Sequence, residues 1–264
     1  VERTLHGPKV DVVEPIAAAL ELFANTENTR EVCVVVDVGA GTIDLGAFIS
    51  LTPRARGYRR RLVSLAAPRS IYAAGDLIDE ELVGVIEEAA PRGLRREAKA
   101  DLRRRKRIIK ETLFKQGTVF ECGVSVALGQ LLARPKIQEM KDELRREFMQ
   151  LLREAAPQIR PYADMERHPV RRVDVVFAGG GANIEFLRES LGRRAELGDR
   201  QSLPIALGKE EWMGPPLPAS YERLAVALGG TAPKEEWPVT GPGGGHEGRG
   251  GWALGPPRRM RPTL

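Results

Sequence analysis

The sequence predicts an α/β fold with a mixed sheet, and three observations predict it. Segments rich in β-branched residues cluster early, between residues 31 and 51. A strand, glycine turn and helix follow one another late, in "VRRVDVVFAGGGANIEFLRESLG" from Val170. Long stretches with apolar residues at helical spacing lie between them. Strands in a cluster, followed by a strand–helix unit, place helices against a sheet of both parallel and antiparallel pairs.

Taken in order, "VEPIAAALELFA" at residues 13–24 has Pro15 near a helix start and alanine-rich helix formers behind it. Residues 31–38 are nearly all apolar and β-branched, which suits a strand buried on both faces. "TIDLGAFISL" alternates well enough to be a second strand, and the four residues "GAGT" between the two are short enough for a hairpin. "YRRRLVSLAAP" reads as a third strand that begins with charges. Residues 75–89 turn helical, a basic helix runs from about Leu94 to Lys115, and "GTVFECGVSVALG" suggests short strands. "RPKIQEMKDELRREFMQLLREAAPQI" is strongly amphipathic, with Ile137, Met140, Leu144, Phe148, Leu151 and Leu152 on one face. The late strand–turn–helix follows, and "ASYERLAVALGG" at residues 219–230 makes a last short helix. From about Pro233 the composition changes: 13 of the 27 residues from Pro238 to Leu264 are Gly or Pro. That stretch holds too little apolar surface to offset its ordering entropy and reads as a disordered tail over 233–264.

The 264 residues suffice for a sizeable core, and the composition is ordinary for a globular protein, with 42% hydrophobic and 29% charged residues. No apolar run approaches the ~20 residues of a membrane helix, and no signal-peptide pattern opens the chain. Cys33 and Cys122 form neither a disulfide framework nor a metal-ligand spacing, and His6, His168 and His246 are scattered. A cytoplasmic location is expected. The net charge of +5 is unevenly distributed: the window Arg92–Lys110 carries +8, which leaves about −3 for the rest. Leu94, Ala98, Leu102, Ile109 and Leu113 can pack inward from this window while its arginines face water, so a solvated helix face is expected. The other reading, an electrostatic patch for nucleic acid or an acidic partner, lacks aromatics for base stacking. Nucleic acid is not expected as a partner.

Two glycine turns can carry chemistry. "DVGAGTID" joins two strands and "FAGGGANIEFL" joins a strand to a helix. Glycines let backbone amides approach an anion closely, and a helix start adds free N–H groups. Asp37 and Asp44 cannot face a phosphate directly, but they fit a site where a divalent cation and its waters intervene. Each turn taken alone is equally consistent with a plain hairpin or a plain strand–helix connection.

Their combination brings in a resemblance. "VVVDVGAGTIDLGAF" resembles the second phosphate-binding loop of the actin-like ATPase superfamily, Asp-x-Gly-x-Gly-Thr-x-Asp. "VEPIAAAL" is similar to the "EP-x-AAAL" helix of the seventy-kilodalton heat-shock (DnaK-type) chaperones. "AAGDLIDEEL" resembles the "GG-[DE]-x-[FI]-D" turn of the same proteins and of bacterial actin-like rod-shape proteins. "VDVVFAGGGANIEFLRESL" resembles their adenosine-binding strand–turn–helix, and "ERLAVALGG" their closing helix. The motifs keep the family order over roughly residues 12–230.

The resemblance implies a ribonuclease H-like lobe over 1–232 with a peripheral, mainly helical subdomain at about 76–135. It implies ATP or ADP with Mg2+ as cofactors. Glu14 would sit beside the attacking water or the metal shell, and Asp37 and Asp44 would organise the metal through its waters. The amides of Gly39, Ala40, Gly41 and Thr42 would cradle the β- and γ-phosphates, with Gly75 approaching from the next turn. Gly179, Gly180, Gly181 and Ala182 would line the adenosine pocket, and Lys110 would flank the adenine. Without the family, Glu14 can simply charge a helix start and Lys110 can be one more solvated cation. Three departures stand out: Glu111 replaces an arginine of the chaperones, Phe114 a small polar residue, and Ala40 the middle glycine of the loop.

In the family a first phosphate loop and a catalytic lysine belong to the lobe before the "EP-x-AAAL" helix, and thirteen residues precede Glu14 here. The expectation is therefore the second lobe alone, from a truncated or split protein, weak in binding ATP and inactive by itself. The first lobe would be supplied in cis or in trans. No peptide-binding domain follows, so a stand-alone chaperone is not expected, and any protein client is unknown. Alternatives from other classes are a structural or partitioning protein that polymerises with nucleotide, and a degenerate, non-catalytic nucleotide-binding module.

Overall fold

The computed structural model describes residues 30–51, 61–90, 94–165, 169–182, 184–198, 201–207 and 239–240. Glu14, the helices expected at 13–24 and 219–230, and most of 233–264 lie outside the described residues.

The mixed sheet is built around β1 (Arg30–Val38). β1 pairs antiparallel with β2 (Ile43–Leu51) across the four-residue turn Gly39–Thr42. On its other side it pairs parallel with β7 (Val173–Ala178), Val32 opposite Val173 and Asp37 opposite Ala178. Val32, Cys33, Val34, Val35 and Val36 are all fully buried. Because alternate residues face opposite ways, both faces of this strand are covered, as its unbroken β-branched run requires.

The third expected strand forms as β3 (Arg61–Ser64), and a further, unforeseen strand, β4 (Arg69–Ile71), follows it. β3 pairs with the far end of β2, and β4 pairs with its near end, Asp44 opposite Ser70. Pro68 between them has no N–H to give a ladder and separates the two. Val239–Thr240, within the stretch read as a tail, forms a short strand, β10, parallel to Val63–Ser64 of β3. Beyond β7 the sheet continues through β9 (Gln201–Leu207), parallel to β7, to β8 (Arg194–Gly198) at its edge. Among the described residues the order is β10-β3-β2-β1-β7-β9-β8, with β4 beside β2.

Helix α1 (Gly75–Ala89) follows β4 and buries Ile78, Leu82, Val85 and Ile86. The basic helix α2 (Arg96–Gln116) buries Leu102, Ile109 and Leu113, while Leu94, just before it, packs against the core. It ends at Gly117 in the left-handed region. The short strands are a hairpin of β5 (Thr118–Glu121) and β6 (Val124–Ala127), turned by Cys122 and Gly123 with φ of 54° and 80°. After the one-turn helix α3 (Leu128–Leu132), α4 (Pro135–Ala163) buries every residue of its predicted apolar face. It continues to Ala163 past Pro157 and Pro161. The last described helix, α5 (Glu185–Ser190), is six residues long. Buried residues from α1, α2, β5, β6 and α3 form one cluster with those of the sheet and α4. No described helix is long and apolar enough to cross a membrane.

Candidate functional site

Adjacent parallel strands β1 and β7 end side by side, and each ends in one of the glycine turns. In an open α/β sheet this end, beyond the strand carboxyl termini, is where ligands bind. The β1 turn closes with the Gly39 N–H donating to the Thr42 carbonyl at 2.9 Å. Ala40 and Gly41 at its tip are exposed. Among the described residues, no backbone acceptor takes the N–H groups of Ala40, Gly41 or Thr42. Ala40 stays out of the positive-φ region, so replacing the middle glycine leaves the turn unstrained.

The start of α1 is fastened to this turn. Its N-cap residue, Ala74, supplies no side-chain acceptor. Instead the Gly75 N–H donates to the Gly39 carbonyl at 3.3 Å and the Asp76 N–H to the Ala40 carbonyl at 2.8 Å. Two of the orphan donors of the helix start are thus satisfied by the hairpin itself. Gly75 is buried beneath the turn, and a Cβ there would come within 3.2 Å of the Gly39 carbonyl. Its amide points into the turn.

The β7 turn packs against the opposite side of the same residues. The Gly181 N–H donates to the Val38 carbonyl at 3.0 Å. A Cβ on Gly179 would lie 2.6 Å from that carbonyl oxygen and closer still to Asp37 Oδ1, and Gly179 has φ of 80°. A Cβ on Gly181 would overlap the Val38 side chain, whereas Gly180 is exposed with open space around it. Ala182 is buried, its N–H donated to the Gly179 carbonyl at 3.3 Å, and the Ile184 N–H goes to the Gly181 carbonyl at 3.0 Å. The amides entering the short helix α5 are therefore largely engaged within the turn.

Asp37 and Asp44 stand directly opposite each other in the β1–β2 ladder, so their side chains share one face of the sheet. Asp37 is 4% exposed. Asp44 accepts from the Thr42 hydroxyl at 2.9 Å and from the Ser70 hydroxyl. Like charges so placed repel, and a cation between them would turn that repulsion into attraction. Among the described residues no group of three or more His, Cys, Asp or Glu side chains could hold a metal ion. Two carboxylates suit Mg2+, which keeps several waters and takes its other oxygens from phosphates.

Lys110 reaches the same region from α2. Its ammonium lies 2.7 Å from the buried Asp79 carboxylate of α1 and donates to the Gly75 carbonyl at 3.2 Å. One turn on, Phe114 stacks on Phe186 of α5 with ring centroids 5.9 Å apart. Arg188 lies over the Phe177 ring at 5.3 Å and donates to the Ala182 carbonyl at 3.0 Å. Every expected site residue that is described thus gathers around one turn. Ser70, Asp79 and Phe186 join them without having been foreseen: Ser70 sits in an unforeseen strand, and Asp79 meets a lysine 31 residues away in the chain. Around α2 the basic window is interleaved with carboxylates, Lys99 with Glu87, Arg105 with Asp101 and Glu121, Lys106 with Glu80, and Arg107 with Glu111.

No protein-family model matches the chain, and no curated protein is significantly similar to it.

Proposed function

We propose that this chain is the ATP-binding lobe of a heat-shock-chaperone-like member of the actin-like ATPase superfamily, with a ribonuclease H-like fold. One observation carries the reading. Residues from four separate stretches, 37–44, Gly75, Lys110 and 179–182, meet at the carboxyl ends of β1 and β7, with two carboxylates paired across the hairpin. A plain hairpin has no need of a second glycine turn packed against its first carboxylate.

In this reading the amides of Ala40, Gly41 and Thr42 face phosphate oxygens. Bound Mg2+ would supply charge neutralisation at the phosphates, and Asp37 and Asp44 would orient the waters of its shell. Gly180, open to solvent, marks the nucleoside side. A complementary lobe, in cis or in trans, would complete the clamp, and closing the two lobes would order the attacking water and switch the conformation. A cytoplasmic setting suits this role.

Calorimetric titration with Mg-ATP tests the proposal. One wall of a clamp should bind weakly, with Kd of about 1 mM or above, equivalent to roughly −4 kcal/mol or weaker. Amide shifts should concentrate at residues 39–42 and 179–182 and fade when Mg2+ is omitted. Micromolar binding by this chain alone would overturn the half-clamp reading. Absence of any saturable shift at those residues would overturn nucleotide binding itself.

A further inference from the structure

We propose that Lys110 is a positioning residue: with Asp79 it braces the start of α1 against the Gly39–Thr42 turn, and so sets the turn amides without touching the base of a nucleotide. The inference rests on the site proposed above, and it departs from the role that the family resemblance gives this lysine. The Lys110 side chain is 15% exposed and that of Asp79 is 8% exposed. The ammonium is committed on two sides, to Asp79 Oδ1 at 2.7 Å and to the Gly75 carbonyl at 3.2 Å.

The peptide units of Gly75 and its neighbours then form a short relay. The Gly75 carbonyl accepts from Lys110, while the Gly75 and Asp76 N–H groups donate to the Gly39 and Ala40 carbonyls. Those two carbonyls belong to the turn whose outward amides meet no backbone acceptor among the described residues. The Gly75 carbonyl shares its peptide unit with the Asp76 N–H, so the cation polarises that donor and strengthens its bond to the Ala40 carbonyl, one of the two that fix the turn. Phe114, one helical turn from Lys110 on the same face, is stacked on Phe186. Lys106 reinforces the seam by pairing with Glu80 at 3.1 Å. A cation meant for a purine would be expected to keep a free face; this one is built into the junction of two helices and a loop.

The test uses Lys110→Met, Asp79→Asn and the charge-keeping Lys110→Arg, with two independent readouts. The first is amide exchange in the protein without ligand. Lys110→Met and Asp79→Asn should speed exchange at Gly75 and Asp76 by about tenfold or more, about 1.4 kcal/mol of local protection, with the β1 and β7 amides unchanged and Lys110→Arg nearer to the parent. The second compares tripolyphosphate, adenosine and ATP, each with Mg2+. A brace weakens tripolyphosphate and ATP by the same factor and leaves adenosine alone. Loss of adenosine and ATP with tripolyphosphate unaffected would overturn the proposal in favour of base contact, and unchanged exchange at Gly75 and Asp76 would overturn it outright. If the parent protein binds none of the three probes, the proposed function fails, and the exchange measurement still decides the brace.

Discussion

Gly179→Ala is the sharpest perturbation of the site, because its cost can be worked from two separate features, a backbone angle and a close approach. The residue has φ of 80°, where an L side chain costs about 1–2 kcal/mol. The added methyl would also stand 2.6 Å from the Val38 carbonyl oxygen and 3.0 Å from its carbon. Those are backbone atoms of a strand fixed on both sides, so the overlap must be relieved by moving the β7 turn, a further cost of about 1–3 kcal/mol. The combined loss is about 2–5 kcal/mol; for a chain of this size a 3 kcal/mol loss lowers Tm by about 6–12 °C. Gly180→Ala is the matched control, since it has open space and no positive φ; it should change stability by about 0.5 kcal/mol or less. Denaturant unfolding at constant m-value measures both. Equal stability of the two variants would refute the packing of the β7 turn against Asp37 and Val38.

Two further outcomes concern the charged residues. Hydrogen bonding from Arg69 holds the Glu147 carboxyl below the usual glutamate range against some burial, and Glu81, which burial alone would raise, is held low by Arg134 and Lys136. Their folded-state values lie below the unfolded ones, so the stability they contribute is full above about pH 4.3 and is lost as pH falls through the folded values. Glu147→Gln should therefore destabilise at pH 7 and flatten the decline in denaturant midpoint between pH 5 and pH 3; an unchanged slope would count against the Arg69 pair. Because Lys99, Arg105, Lys106 and Arg107 of α2 pair with Glu87, Asp101, Glu121, Glu80 and Glu111, filter binding of single- or double-stranded nucleic acid should be absent even at 50 mM salt, and salt-sensitive binding there would contradict a helix face whose cations are engaged within the protein.

What could be read from residues alone was what local pattern dictates. The β-branched run at 31–38 and the helical spacing of Ile137 to Leu152 leave little choice of element, and both formed as expected. β4 escaped notice because three residues, Arg69–Ile71, carry no period, and β8–β9 because Pro204 stands inside the second strand of the pair. The triplet Gly179-Gly180-Gly181 looks uniform in sequence. Only the neighbours distinguish its members: a Cβ on either outer glycine would run into Val38, and one on the middle glycine would meet open space. Lys110 was visible as a cation, but its partner Asp79 was not, since pairing between helices depends on how α1 and α2 cross rather than on spacing within either.

The placement of β1 between an antiparallel and a parallel neighbour has a consequence for the order in which the molecule is assembled. The β1–β2 hairpin is local and can form once residue 51 has been made, whereas β7 must return across the whole helical segment to dock. Until it does, the Gly39–Thr42 turn exists without the wall that Gly179 and Gly181 supply. A ligand that needs both turns binds only the chain that has completed this long-range step, and it stabilises that state over every earlier one by RT ln(1 + [L]/Kd). The site then acts as a check on finished topology: ligand present during refolding should favour the closing of β1 on β7 while leaving the hairpin's own formation untouched.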